Sequence, residues 1–140
     1  MDDDEDALTQ INREFHEHPV HGRMGLNISQ RKPHTIVTME VSDEVQGALP
    51  GSVHGGMLAT LADVTCATAL WGTFDPASEL PVTTDMHMRF YRQPRSGPVK
   101  AESQVVHDGR RLRSVECSVV DGEDRILARA TATYMMVPVR

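Results

Sequence analysis

The sequence predicts an α+β domain in which a curled antiparallel sheet wraps around one long central helix. Three observations predict it. Residues 53–74, VHGGMLATLADVTCATALWGTF, form an apolar, small-residue run whose only formal charge is Asp63. Two strand-like segments precede that run. Four more follow it, closely spaced and joined in part by turn-forming pairs. A sheet that must cover one apolar helix curls around it. The helix also has more apolar surface than one sheet face can use, so a second copy of the chain is expected to cover the rest.

At 140 residues the chain is the size of one domain and large enough for a core without staples. Its net charge of −6 is misleading, because Asp2, Asp3, Asp4, Glu5 and Asp6 supply five of the negatives. The remainder is close to neutral. No broad cationic face is implied, and nucleic acid is not expected as a partner. Cys66 and Cys117 fall in the apolar helix and in a predicted strand; they are expected to be buried free thiols of a reducing compartment. The N-terminus is acidic rather than basic and then apolar. Asp63 at the midpoint of the long helix argues against a membrane span. The expectation is a cytoplasmic protein without membrane contact.

Residues 1–6 read as a solvated acidic tail. From residue 7 to about 16, Leu8, Ile11, Asn12 and Phe15 recur at helical spacing, so residues 1–22 are expected to be a tail and a short amphipathic helix. His16, His18 and His21 cluster there, but Pro19 interrupts them and nothing completes a tetrahedral set, so no metal is expected. The single domain is expected over 23–140. Residues 24–30 and 34–41 form a hairpin around Arg31-Lys32-Pro33, with Ile36, Thr38 and Glu40 alternating with Val37, Met39 and Val41. The turn-rich stretch SDEVQGALPGS then leads to His54.

Beyond the central helix, Asp75-Pro76 and Pro81 bracket a loop. Residues 82–91 alternate: Val82, Thr84, Met86, Met88 and Phe90 on one face, Thr83, Asp85, His87, Arg89 and Tyr91 on the other. Strands over 99–107, 112–121 and 126–137 follow, with turns at Asp108-Gly109 and Asp121-Gly122. The spacing predicts that these four strands run as an antiparallel meander.

The chemistry sits in the central helix. If it starts near Gly55 or Gly56, its first N–H groups lack internal partners and carry the positive end of the helix dipole. Glycine there admits close approach of a substrate, which is the hardware of an oxyanion hole. Asp63 supplies a general base for water or a nucleophile for a carbonyl. Gly55 and Asp63 are eight residues apart, roughly 12 Å along one helix. One carbonyl cannot reach both on a single helix. If both act on it, the donor and the carboxylate come from two antiparallel helices, and the site lies between two protomers.

HGGMLATLAD, residues 54–63, resembles the motif of hotdog-fold acyl-CoA thioesterases of the phenylacetate-pathway (PaaI-like) type. TTDMHMRFYRQP resembles the strand that follows the helix in that family, and the element order agrees over about residues 24–137. The resemblance implies a hotdog homodimer, often a dimer of dimers, that hydrolyses an acyl-CoA thioester without a cofactor, coenzyme A being part of the substrate. It implies Asp63 as the catalytic carboxylate and Gly55 as the N–H that polarises the thioester carbonyl. It also implies His54 as the residue that shapes the turn, with Gly56 beside it on the substrate side, and Thr83 near the carboxylate and its water. Arg110 and Arg111 match positions that line the coenzyme A path. In one respect the sequence departs from the pattern. Many relatives carry Asn six residues before the motif histidine; here Ala48 stands there, and Gln46 is the nearby candidate to replace it.

Two other readings remain open. Ala48 leaves room for a hotdog module that binds acyl-CoA without turning it over. An enoyl-CoA hydratase on the same fold would need an acid and a histidine placed together, a pattern the sequence lacks. Each candidate also has a structural reading: Asp63 satisfied by Thr60 or Thr65, His54 as a simple cap, and the arginines as a solvated rim. The five methionines at 57, 86, 88, 135 and 136 read as core.

Overall fold

The computed structural model describes residues 2–140, with side chains from residue 7 onward. The chain runs α1 (Asp2–Glu17), α2 (Pro19–Met24), β1 (Leu26–Gln30), β2 (Thr35–Met39), a 3-10 turn (Asp43–Val45) and α3 (Gly55–Leu70). It continues through β3 (Glu79–Phe90), β4 (Val99–Asp108), β5 (Leu112–Val120) and β6 (Ile126–Pro138). The strands form one antiparallel sheet in the order β1-β2-β4-β5-β6-β3. Its inner face closes over α3, where Leu58, Leu61, Ala62, Cys66 and Leu70 pack against Val37, Met39, Val99, Ala101, Val115 and Ala132. The α+β layout and the central helix are as the sequence predicts.

Four details differ. The acidic stretch read as a tail is helical from Asp2 onward, while Met1 lies outside the described residues. Acidic residues at a helix N-terminus complement the dipole, so the run extends the helix rather than preceding it. The helix docks on the sheet edge: Asn12 donates to the Ile28 carbonyl at 2.8 Å and accepts from the Ile28 N–H at 2.7 Å. Pro19 does not merely end a segment; it opens α2, where its missing N–H costs nothing, and the His18 ring accepts the Val20 N–H at 3.2 Å as the cap. His16 and His21 are likewise tied to the carbonyls of Leu26 and Phe15.

The third difference is topological. β3 does not pair with β4 but with β6, at the edge of the sheet, so the last four strands are not a simple meander. The reason lies in residues 91–98, YRQPRSGP, which are too long and too rich in proline for a hairpin turn. They cross the end of the sheet instead. Arg95 N–H donates to Asp121 Oδ2 at 3.1 Å, and Gly122 N–H donates to the Ser96 carbonyl at 2.8 Å, pinning the crossing to the β5–β6 turn. β4 can then enter beside β2.

Within β3 the pairing slips between Thr83 and Asp85, so Thr84 is an extra residue opposite β6. This bulge breaks the strict alternation expected from residues 82–91. Thr83 lies across from buried Tyr134, on the same inner face as Met86, Met88 and Phe90, which lie across from Ala132, Ala130 and Ala128. Asp85, His87, Arg89 and Tyr91 take the outer face.

Candidate active site

His54 caps α3. Its Nδ1 accepts the Gly56 N–H at 2.9 Å, and its carbonyl accepts the Met57 and Leu58 N–H groups at 2.9 and 3.1 Å. The Gly55 N–H, in contrast, has no partner among the described residues. The capping arrangement therefore separates the two glycines: Gly56 is committed to the turn, and Gly55 offers the free donor at the positive end of the helix. The motif is exposed, and a Cβ added at Gly55 would lie 3.9 Å from the Phe90 ring.

The turn is held from below by a residue that the sequence reading did not single out. Gln93 Oε1 accepts the Val53 N–H at 2.9 Å, and its Nε2 donates to the Val53 carbonyl at 3.3 Å. The side-chain amide thus reproduces a strand pairing just ahead of His54. Gln46 is exposed; its backbone bridges to Val53 and its N–H donates to the Asp43 carbonyl at 3.3 Å, while no side-chain hydrogen bond holds it among the described residues. Ala48 is also exposed.

Asp63 lies two turns along α3, half-buried, beneath β3 and β6. Its Oδ1 accepts two hydroxyls, from Tyr134 at 2.7 Å and Thr83 at 2.9 Å. The Tyr134 hydroxyl also stands 2.9 Å from the Asp63 carbonyl, so its single proton is shared between two acceptors of one residue. Tyr134 is 1% exposed. Burial, with the Asp63 hydrogen bond adding to it, pushes its phenol well above the ordinary range and keeps it a donor. Among the described residues no hydrogen bond reaches Asp63 Oδ2, and no fully buried side-chain oxygen lacks a partner; Oδ2 is therefore not sealed from solvent.

The threonines of α3 are not the partners of Asp63. Thr60 and Thr65 donate instead to the carbonyls of Gly56 and Leu61, four residues back. What the sequence reading missed is Tyr134. The available signal was its phenol: a tyrosine inside a predicted core strand needs an acceptor, and the apolar helix offers one carboxylate. Cys66 and Cys117 are buried free thiols that meet between α3 and β5; that contact and burial push the Cys66 thiol up, out of reach of thiolate chemistry.

Arg110 and Arg111 are exposed in the β4–β5 turn. That turn lies at the C-terminal end of α3, where Arg113 Nη1 donates to the Thr73 hydroxyl at 2.6 Å. A 16-residue helix, about 24 Å long, separates them from Gly55 of the same chain. Two grooves, of about 800 and 350 Å³, lie beside α1 and on the outer sheet face; neither is lined by Asp63 or Gly55. The structure thus brings Asp63, Thr83 and Tyr134 together, and His54, Gly55, Gly56 and Gln93 together. It leaves the two groups at separate places on one helix.

The family model of the thioesterase superfamily matches residues 50–128, which span α3 with Asp63, and β3 to β5 with Thr83, but stop short of Tyr134. The chain belongs to that superfamily, a family of thioester hydrolases, and has the hotdog fold. Its structure superposes on a thioesterase of Haemophilus influenzae with a TM-score of 0.85 and 20% identity, covering 94% of this chain and 90% of that one. A mutant thioesterase of Pseudomonas aeruginosa gives 0.87 and 21%, with 94% of each chain covered. At such identities these two likenesses concern the fold alone. In sequence, the chain is 29% identical over 86 residues to a candidate esterase of Saccharolobus solfataricus, over 61% of this chain and 56% of the relative. The match thus spans about half the length of that relative. Among the described residues no helix is long and apolar enough to cross a membrane.

Proposed function

We propose that the chain is an acyl-CoA thioesterase of the PaaI-like type, converting a small or medium acyl-CoA, or an aryl-CoA, to the free acid and coenzyme A. The carrying observation is the state of Asp63. Two hydroxyls hold Oδ1, while Oδ2 has no hydrogen-bond partner among the described residues and is not sealed from solvent. A carboxylate gripped on one side and free on the other is oriented for work as a base on water or as a nucleophile on the carbonyl. Thr83 and Tyr134 position it. The free Gly55 N–H takes the oxyanion, with His54 keeping Gly56 in the turn.

The reading requires two protomers, because one helix holds donor and carboxylate too far apart. Two features support a homodimer. Thr60, Asp63, Val64 and Ala67 form a half-buried stripe along α3 that its own sheet does not cover fully. The 12-residue strand β3 has a neighbour on one side only. In such a dimer, antiparallel helices bring the C-terminal end of one α3 toward the other protomer's Gly55. Arg110 and Arg111 then lie where coenzyme A phosphates pass, and Gln46 and Gly56 flank the thioester. Self-association into a dimer of dimers and a cytoplasmic location belong to the same reading, with no cofactor beyond the substrate.

The test is coenzyme A release from short, medium, long and aromatic acyl-CoAs by wild type and Asp63→Ala in parallel. Hydrolysis that falls by orders of magnitude in a folded Asp63→Ala supports the mechanism. Saturable acyl-CoA binding without turnover by wild type would instead assign a binding module, the alternative that Ala48 favours.

A further inference from the structure

The turn between β4 and β5 is tied to the rest of the fold by one buried side chain. Asp108 and Arg113 are the last pair of the β4–β5 ladder, and the exposed Arg110 and Arg111 stand between them. On either side of Arg110 a carbonyl is pinned. That of Gly109 accepts the Arg113 Nε–H at 3.0 Å, and that of Arg111 accepts the Met136 N–H of β6 at 2.8 Å. The turn is closed tightly, since a Cβ added at Gly109 would collide with the Leu112 carbonyl and the His107 ring. Arg113 lies opposite Tyr134 on the inner face and is 7% exposed. Its Nε also lies 3.2 Å from the Asp108 carboxylate. The other arm of its guanidinium leaves the turn altogether. Nη1 donates to the Thr73 hydroxyl at 2.6 Å and lies 3.4 Å from the Thr73 carbonyl. Thr73 in turn donates both its hydroxyl, at 2.5 Å, and its N–H, at 3.0 Å, to the carbonyl of Leu70, the last residue of α3.

We infer that Arg113 is a positioning residue for coenzyme A: it clamps the Arg110–Arg111 turn to the C-terminal end of α3 and so fixes where the two exposed cations meet the phosphates. A buried guanidinium is costly unless its donors are satisfied and its charge is met. Here Asp108 pairs with Nε, and Nη1 stands at the negative end of the helix dipole. A surface turn with two free cations would otherwise sample many orientations, and ordering it on binding would weaken affinity. With the backbone held at Gly109 and Arg111, that ordering is complete before the substrate arrives. The planar fork matters. Nε and Nη1 reach two elements at once, which a lysine ammonium on its flexible stem cannot reproduce. In the two-protomer site the end of α3 approaches the other protomer's Gly55, so the clamp also sets the span from thioester to phosphates. The inference rests on that proposed site and names the residue that makes it selective for the nucleotide half of the substrate.

The test compares a coenzyme A thioester with the thioester of the same acyl group on N-acetylcysteamine, which lacks the nucleotide and its phosphates. Arg113→Lys keeps a cation but loses the fork. Thr73→Val, at an exposed position, keeps Arg113 and removes only the hydroxyl that links Nη1 to Leu70. Both variants are expected to raise KM for the coenzyme A thioester with kcat near that of wild type, Arg113→Lys by about tenfold or more and Thr73→Val by less. With the truncated thioester, kcat/KM should stay at the wild-type value. A residue that merely holds the fold together would depress both substrates alike, and that result overturns the inference. Unchanged KM for the coenzyme A thioester in both variants also overturns it, and leaves the thioesterase reading standing. If wild type turns over neither thioester, that reading fails, and titration of coenzyme A into the three proteins decides the inference alone. Affinity about tenfold weaker in Arg113→Lys upholds it. Equal affinities, or no binding by wild type, overturn it.

Discussion

The Tyr134 hydroxyl lies 2.7 Å from Asp63 Oδ1, and the Thr83 hydroxyl meets the same oxygen at 2.9 Å from the neighbouring strand. One oxygen of the carboxylate is thereby fixed by two donors rooted in β6 and β3, and the other is left without a hydrogen bond among the described residues. Tyr134→Phe keeps the ring in the core and removes only the proton. The carboxylate then pivots about the single Thr83 contact. We expect kcat to fall about tenfold to a hundredfold with KM nearly unchanged, since misplacement of a reacting group on this scale costs that much. Thr83→Val should act similarly and Thr83→Ser should restore the rate. The double variant Tyr134→Phe/Thr83→Val should lose less than the product of the two, as expected for donors that hold one group. Steady-state kinetics with a turned-over acyl-CoA decides it.

Gly55 and Gly56 are neighbours with different tolerances. A Cβ at Gly55 makes only an ordinary contact, 3.9 Å from the Phe90 ring, so Gly55→Ala should fold with little loss of stability. The methyl then crowds the space beside the free donor, and the rate should drop by about a hundredfold or more, the usual scale for loss of an oxyanion contact. A Cβ at Gly56 lies 3.1 Å from Nδ1 and Cε1 of the capping His54 ring. Gly56→Ala should therefore displace the cap and destabilise the helix start by about 1 kcal/mol. Thermal unfolding read beside activity separates the two outcomes.

Gln93 predicts a third effect. Its amide grips both polar groups of Val53, the residue before His54, from the segment that crosses the sheet end. Gln93→Ala leaves the Val53 N–H and carbonyl without that partner. The motif turn should loosen, lowering kcat while the far end of α3 and the Asp63 cluster stay in place. Gln93→Asn, one methylene shorter, should not rescue it. Faster amide exchange confined to residues 52–57 would check the local origin of the loss.

Which parts of this arrangement were legible in the sequence follows from the range of the forces involved. The helix start, its cap and the lone carboxylate are local: His54, Gly55 and Asp63 are read from spacing within one turn or two. The hairpin and the strand periodicities are local as well. Non-local features were not. Whether β3 pairs with β4 or β6 depends on the path of residues 91–98 over the sheet end, and alternation carries no record of it. The bulge at Thr84 adds one residue without changing the pattern, and so reverses which face Thr83 occupies. Tyr134 meets Asp63 across 71 residues of chain. Only its chemical need for an acceptor hinted at the contact.

Asp121 ties that non-local path together, and its protonation should show in the stability of the whole domain. It is 1% exposed. Its Oδ1 accepts the N–H groups of Glu123 and Arg125, both at 3.0 Å, while Oδ2 accepts that of Arg95 and lies 3.5 Å from the Arg125 guanidinium. Burial alone would raise this carboxyl. The N–H groups of Arg95, Arg125 and Glu123, with the Arg125 charge, more than offset that and hold it below the usual carboxylate range. A depressed folded-state value means stability that is fully present above the ordinary carboxylate value of 3.8 and is lost as pH falls from there through the folded-state value. Asp121→Asn removes the charge and turns an N–H₂ group toward donors. The variant should therefore unfold at a lower temperature than wild type at pH 7. The gap should hold to about pH 5 and narrow below pH 4, where wild-type Asp121 itself takes up its proton. Because Arg95 shares the crossing segment with Gln93, the variant should also lower kcat near neutral pH. Melting curves of both proteins from pH 3 to 8, with hydrolysis measured at pH 7, test both consequences. A gap independent of pH would mean that Asp121 acts through shape rather than charge.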